Sequence, residues 1–166
     1  MPDEAGFQRW AQERQHALLR TAVLLTGDRH RAEDLVQEAL TQVALRWRRL
    51  AGGHPDAYAR QVIVRRNISW WRQHRREVVV ELHDQTAAGA WEWTVDRRVM
   101  LERALADLTP RQRSLVVLRY YEDLTERDAA DVLGVSVGTV KSETHRALRR
   151  LRESAPELAQ LIGEDR

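Results

Sequence analysis

The stretch LGVSVGTVKSETHRALRRL, residues 133–151, joins an apolar turn around Gly134 to an arginine-rich segment that also holds the chain's only lysine, Lys141. Its spacing decides the fold. In a helix-turn-helix, a small residue on the first helix lets the second cross close to it. A turn glycine follows four residues later, and a β-branched residue six further on packs back. Ala130, Gly134 and Val140 have this spacing. The turn residue takes positive φ, which costs residues other than glycine about 1 kcal/mol or more. Ser136 can cap the second helix. Val137, Val140, Thr144, Leu148 and Leu151 are then expected to face inward. Thr139, Lys141, Ser142, His145, Arg146, Arg149 and Arg150 are expected to face out. Such a face fits the major groove, with its early residues at base edges and its later arginines at phosphates. A solvated helix in a helical hairpin is the alternative, and the Ala–Gly–Val spacing argues against it.

Two helix starts precede this pair. In TPRQ, Thr109 can cap, Pro110 takes the first helical position and Gln112 completes a capping box. In TERD, Thr125 caps and Asp128 sits three residues on, a close variant of the same box. With a helix marked by Val99, Leu101, Leu105 and Leu108 and ending near Asp107, this makes four short helices in a small domain. Residues 154–166 read as a short tail with an acidic end.

The remainder is also helical. The chain has 166 residues with few glycines and prolines, and apolar residues recur at three- and four-residue spacing. Phe7, Trp10, Ala11, Leu18, Ala22 and Leu25 mark a first helix that stops at Gly27. Asp28 caps a second, with Ala32, Leu35, Val36, Ala39, Leu40, Val43 and Trp47 as its apolar stripe. AGGHP ends it, and Pro55 opens a third that runs to about Arg76. Residues 77–96 sustain no helical period and read as a linker. Trp91 and Trp93 within it either pack on a neighbouring domain or dock on a partner. The fold class is therefore all-α: two small helical domains, 1–76 and 97–153, joined by a flexible linker.

Charge and composition narrow the function. The 27 basic and 25 acidic residues nearly cancel, so their distribution matters more than their sum. The absence of cysteine excludes disulfides and thiolate metal sites. No apolar run reaches the roughly 20 residues of a membrane span. A soluble cytoplasmic protein is the expectation. The third helix, YARQVIVRRNISWWRQHRR, has six arginines and no acid between Tyr58 and Arg76, and Trp70 and Trp71 are adjacent. Successive helical residues point about 100° apart, so both indoles cannot centre one buried stripe. Either one is core and the other stacks on an unpaired base, or both flank the edge of the core half-buried.

These segments resemble the extracytoplasmic-function sigma factors, the two-domain specificity subunits of bacterial RNA polymerase. GDRHRAEDLVQEAL is similar to the family's polymerase-binding helix and YARQVIVRRNISWWRQHRR to its promoter-melting segment. LTPRQRSLVVLRYYEDLTERDAADVLGVSVGTVKSETHRALRRLRE is similar to its upstream-element domain. NISWW and GTVKSETHRAL resemble the actinobacterial subgroup labelled sigma-E. The resemblance implies that Asp34, Leu35, Gln37 and Glu38 dock on polymerase core, whose clamp and flap are the expected contacts. It places Arg60, Asn67, Trp70, Trp71, Arg72, Arg75 and Arg76 at the minus-ten element. Thr139, Lys141, Ser142 and His145 would lie at the minus-thirty-five element, with Arg146 and Arg149 on phosphates. Promoter DNA and core are the implied partners, an anti-sigma factor is common in the family, and no cofactor or metal is expected.

Two positions depart from the family pattern. Trp71 stands where an aspartate is usual, and Glu143 where a basic residue is common. An acid there repels phosphate but can accept from a cytosine amino group. Other classes fit less well. A stand-alone helix-turn-helix regulator leaves the N-terminal helices unexplained. For an enzyme, the six histidines are scattered, and there is no zinc helix, phosphate-binding glycine loop or nucleophile elbow. Glu33, Asp34 and Glu38 could hold a metal only with a second acidic cluster. An interaction protein that keeps the fold without initiating transcription is the third reading.

Overall fold

A computed structural model describes residues 3–74 and 95–157 of the chain. Arg75, Arg76, Trp91, Trp93, most of the linker and the end of the tail lie outside them. The chain divides into two compact units, Met1–Ala87 and Ala88–Arg166. Every regular element among the described residues is helical.

The first unit packs α1 (Glu4–Thr26), α2 (Arg29–Leu45) and α4 (Pro55–His74) against one another, with a single turn, α3 (Trp47–Leu50), after α2. The α1–α2 corner follows from three adjacent residues. Gly27 takes φ 68, which closes α1 with a bond from its N–H to Val23 O at 2.8 Å. Asp28 then caps α2 by accepting from Arg31 N at 2.8 Å. The Thr26 hydroxyl donates to Ala22 O and Asp28 O, fixing the turn between them. Leu18, Ala22 and Leu25 of α1, Ala32, Val36, Ala39 and Val43 of α2, and Ala59, Ile63 and Val64 of α4 form the core. The alanines on α2 let its neighbours approach closely.

Trp47 departs from expectation. It is buried, but it belongs to α3 rather than continuing the α2 stripe, because α2 ends at Leu45. There it meets Phe7 and Trp10 with ring centroids 5.6 and 5.7 Å away. The Trp10 indole donates to Asp56 at 2.7 Å and the Trp47 indole to Asp3 at 3.0 Å, so this cluster ties the start of α1 to α3 and α4.

In the second unit, α5 (Val95–Ala106) precedes α6 (Pro110–Val116), which runs on into a π-helical segment, Val117–Tyr121. Then come α7 (Glu126–Leu133) and α8 (Val137–Ser154). The Thr109 capping box is complete: the hydroxyl accepts from Gln112 N at 3.2 Å and Thr109 N donates to Gln112 Oε1 at 3.3 Å. Thr109→Ala is expected to cost about 1 kcal/mol, read as a lower urea midpoint at unchanged slope. The second box differs. Thr125 accepts from Asp128 N at 3.1 Å, but the Asp128 carboxylate takes the Thr125 hydroxyl at 2.6 Å. An aspartate is one methylene shorter than the glutamate that would reach back to the cap N–H. The π segment widens the chain so that buried Arg119 reaches the Leu124 carbonyl and closes the loop before α7.

Candidate nucleic-acid interface

The α7–α8 corner has the predicted geometry. Gly134 sits at φ 67, and both its N–H and that of Val135 donate to Ala130 O. Ala130 and Val140 are buried at the crossing. Ser136 caps α8 by accepting from Thr139 N at 3.1 Å. Val140 and Leu151 face inward and Thr144 and Leu148 are half-buried, but Val137 is exposed (37%). It lies one residue past the cap, before α8 meets α6. The inward position not anticipated is Ala147, which is fully buried.

Lys141, Ser142, His145, Arg146 and Arg149 are all exposed on α8. Thr139 is half-buried, its hydroxyl 2.9 Å from Ser136 Oγ, and it belongs to the cap as much as to the face. Lys141 pairs with Glu126 at 3.6 Å across the turn. Such an exposed pair is worth under about 1 kcal/mol and yields readily to a phosphate. Glu143 is engaged inside the unit. Its carboxylate accepts from Arg146 and from Gln112 Nε2, and Gln112 Oε1 accepts from Arg150 at 3.3 Å. This acid ties α8 to α6.

On α4, neither tryptophan is core; both are half-buried. The rings meet edge to face at 5.2 Å and 90°. The Arg31 guanidinium lies 3.6 Å over Trp70, and the His74 imidazole stacks on the same ring at 4.2 Å. Arg31 also donates to Asn67 Oδ1 at 2.6 Å, while Asn67 Nδ2 donates to Leu25 O at 3.3 Å. Asn67 is fully buried, so the expectation of a direct DNA contact there is corrected: both ends of its amide are spent inside the unit. Burial pushes the Arg31 pKa down to about 10, partly offset by Asp28, so it stays cationic at neutral pH. Arg72 is exposed and Arg60 half-buried.

On α2, Asp34 and Gln37 are exposed, and Leu35 and Glu38 are half-buried beside them. Glu38 accepts from Arg66 of α4 at 2.7 Å. Among the described residues, no three His, Cys, Asp or Glu side chains gather to hold a metal ion, and no helix is long and apolar enough to cross a membrane.

Comparison with known proteins places these faces in a family. Residues 10–77 match the model for sigma-70 region 2, and residues 98–151 match that for sigma-70 region 4. The chain is 42% identical over 160 residues to the RNA polymerase sigma-E factor of Streptomyces coelicolor, covering 92% of this chain and 88% of that protein. The chain belongs to the sigma-70 family, as a sigma factor of the extracytoplasmic-function group. It is also 34% identical over 172 residues to the sigma factor SigL of Mycobacterium tuberculosis, covering 93% and 92% of the two chains. Among solved structures, the sigma factor RpoE from Bartonella quintana, in complex with the anti-sigma factor NepR, is similar with a TM-score of 0.73 at 26% identity. That likeness covers 96% of this chain and 98% of that one.

Within this sigma factor, the residue that sequence reasoning missed is Arg31. It stands in GDRHRAEDL, a run with alternating charge that gives no sign of a partner. The stack with Trp70 needs residues 39 positions apart, and only the packing of α2 on α4 supplies them.

Proposed function

We propose that this sigma factor divides promoter recognition between its units and performs no chemistry of its own. Residues 1–76 bind RNA polymerase core and open the minus-ten element, 77–96 connect, 97–153 bind the minus-thirty-five element and 154–166 form a tail. The observation that carries this reading is the α8 face. Lys141, Ser142, His145, Arg146 and Arg149 project from a capped helix whose other side is locked to α6 and α7, as a groove-reading helix requires. Asp34, Leu35, Gln37 and Glu38 on α2 would meet the polymerase clamp, and the C-terminal unit its flap. Arg60, Trp71, Arg72, Arg75 and Arg76 would follow the melted strand. Such a protein works in the cytoplasm, beside the chromosome. The Bartonella relative is bound to an anti-sigma factor, and a partner of that kind would hide both DNA faces here.

Run-off transcription with actinobacterial core polymerase on genomic promoter fragments tests the proposal. Specific transcripts are expected only with both proteins present. Lys141→Ala is expected to lower transcription about tenfold, the loss of one base contact, and to relax discrimination at one base pair. Arg149→Ala should weaken all promoters alike and flatten the salt dependence by about one counterion. Tight duplex binding without core, and no transcript, would instead indicate a stand-alone regulator.

A further inference from the structure

The first turn of α8 carries a more specific assignment, which rests on the minus-thirty-five role proposed for that helix. Gly138 is exposed and lies within α8, at a φ outside the left-handed region. Glycine in a helix is less stable than alanine, because its freer backbone has more entropy to lose. Nothing in the fold offsets that cost here. Beyond its neighbours and the backbone of its own helix, a Cβ on Gly138 would meet only Ser136 Oγ, at an ordinary contact distance of 3.8 Å. Other glycines differ. A Cβ on Gly6 of α1 would overlap the Asp3 carboxylate, and Gly27 and Gly134 hold left-handed turns. The fold needs those glycines, and it does not need Gly138. What sets Gly138 apart is its bearing. Successive residues turn by about 100°, so Gly138, His145 and Arg149 fall within about 20° of one line along α8. Lys141 and Ser142 flank that line one turn on, and all four of these side chains are exposed. The stripe proposed to face DNA therefore begins with a residue that has no side chain.

We infer that duplex DNA lies against the bare backbone of α8 at Gly138, and that this close approach sets how deeply Lys141 and Ser142 enter the major groove. Glycine is the residue used where a backbone must come close to a ligand. A groove-reading helix presents its early residues to base edges, so a methyl group at this position would lift the start of α8 away from them. Gly138 reads no base itself. It is a positioning residue for the two readers one turn on.

The test uses holoenzyme reconstituted with the full chain and a promoter active in run-off transcription, with binding read by fluorescence anisotropy. Stability of the full chain is read by calorimetry. Gly138→Ala is expected to raise the melting temperature by about 3 °C, because a helix favours alanine. The same variant should bind the promoter about tenfold more weakly, the loss of one base contact. Gly138→Leu, bulkier still, should bind more weakly again while staying at least as stable as wild type. Lys141→Ala added to Gly138→Ala should weaken binding little further, since the lifted lysine has already lost its contact. Core binding, read by gel filtration, should hold for every variant. If Gly138→Ala binds like wild type while Lys141→Ala binds weakly, no DNA lies at Gly138 and the inference is overturned. If Gly138→Ala melts below wild type, the glycine serves the fold and the inference is again overturned. Fully additive losses for Gly138→Ala and Lys141→Ala would overturn the control of depth. If scrambling the minus-thirty-five element leaves wild-type binding unchanged, the role proposed for α8 fails, and this contact with it.

Discussion

Replacing Asn67 by alanine is expected to destabilise the first unit by about 3 kcal/mol. The amide is fully buried and performs two tasks at once. Its Nδ2 donates to Leu25 O, one of the carbonyls left over at the end of α1, and its Oδ1 accepts from the cation of Arg31. The neutral bond is worth about 1 kcal/mol and the charged one about 2, and alanine leaves both partners short of one bond in a poorly solvated place. For a domain of this size the melting temperature should fall by roughly 15 °C, measured by circular dichroism. Asn67→Asp separates the two tasks, because it still accepts from Arg31 but faces Leu25 O with a second acceptor. A loss below about 1 kcal/mol for alanine, with promoter opening abolished, would return Asn67 to the DNA-contact role that the family resemblance implied.

The contrast between Asn67 and the helix caps shows what the sequence made legible. Asp28, Thr109, Thr125 and Ser136 each bond an N–H three residues ahead, so a few letters contain both partners. The α7–α8 corner is legible for the same reason, since Ala130, Gly134 and Val140 span eleven residues. The α4 site is not local. Arg31 and Asn67 are 36 residues apart, and only the packing of α2 on α4 brings a guanidinium over an indole. Helical periodicity said that Trp70 and Trp71 could not both be central, but not that a cation would claim the faces of one of them. The tie that Glu143 makes is hidden for a related reason: its partner Gln112 lies 31 residues away on α6.

Where acids stand beside the α8 cations proposed to touch DNA, the pairs lie at the surface and are short-ranged: Lys141 with Glu126 and Arg146 with Glu143. Exposed pairs of this kind contribute at most about 1 kcal/mol each, so the faces stay available while their charge is balanced in the free protein. That balance fits a net formal charge of only +2 and a factor that should bind DNA weakly without polymerase.

Replacing Gly134 by valine should cost the second unit about 3 kcal/mol and remove minus-thirty-five recognition without touching α4. At φ 67 and ψ 39, a β-branched side chain crowds its own backbone, and this residue starts the three-residue corner between α7 and α8. The chain can relieve the strain only by opening the corner. Opening it breaks the bonds that the N–H groups of Gly134 and Val135 make to Ala130 O and lifts Val140 from its buried place. A graded series separates strain from bulk: asparagine, which tolerates the left-handed region, should lose least, alanine more and valine most. A domain this small has little stability in reserve, so the valine variant should be largely unfolded in its second unit near 37 °C. Core binding through α2 and opening of a premelted minus-ten bubble should persist, while duplex promoters that depend on the upstream element fall silent. Equal losses for asparagine and valine would mean that Gly134 is needed for close approach rather than for its backbone conformation.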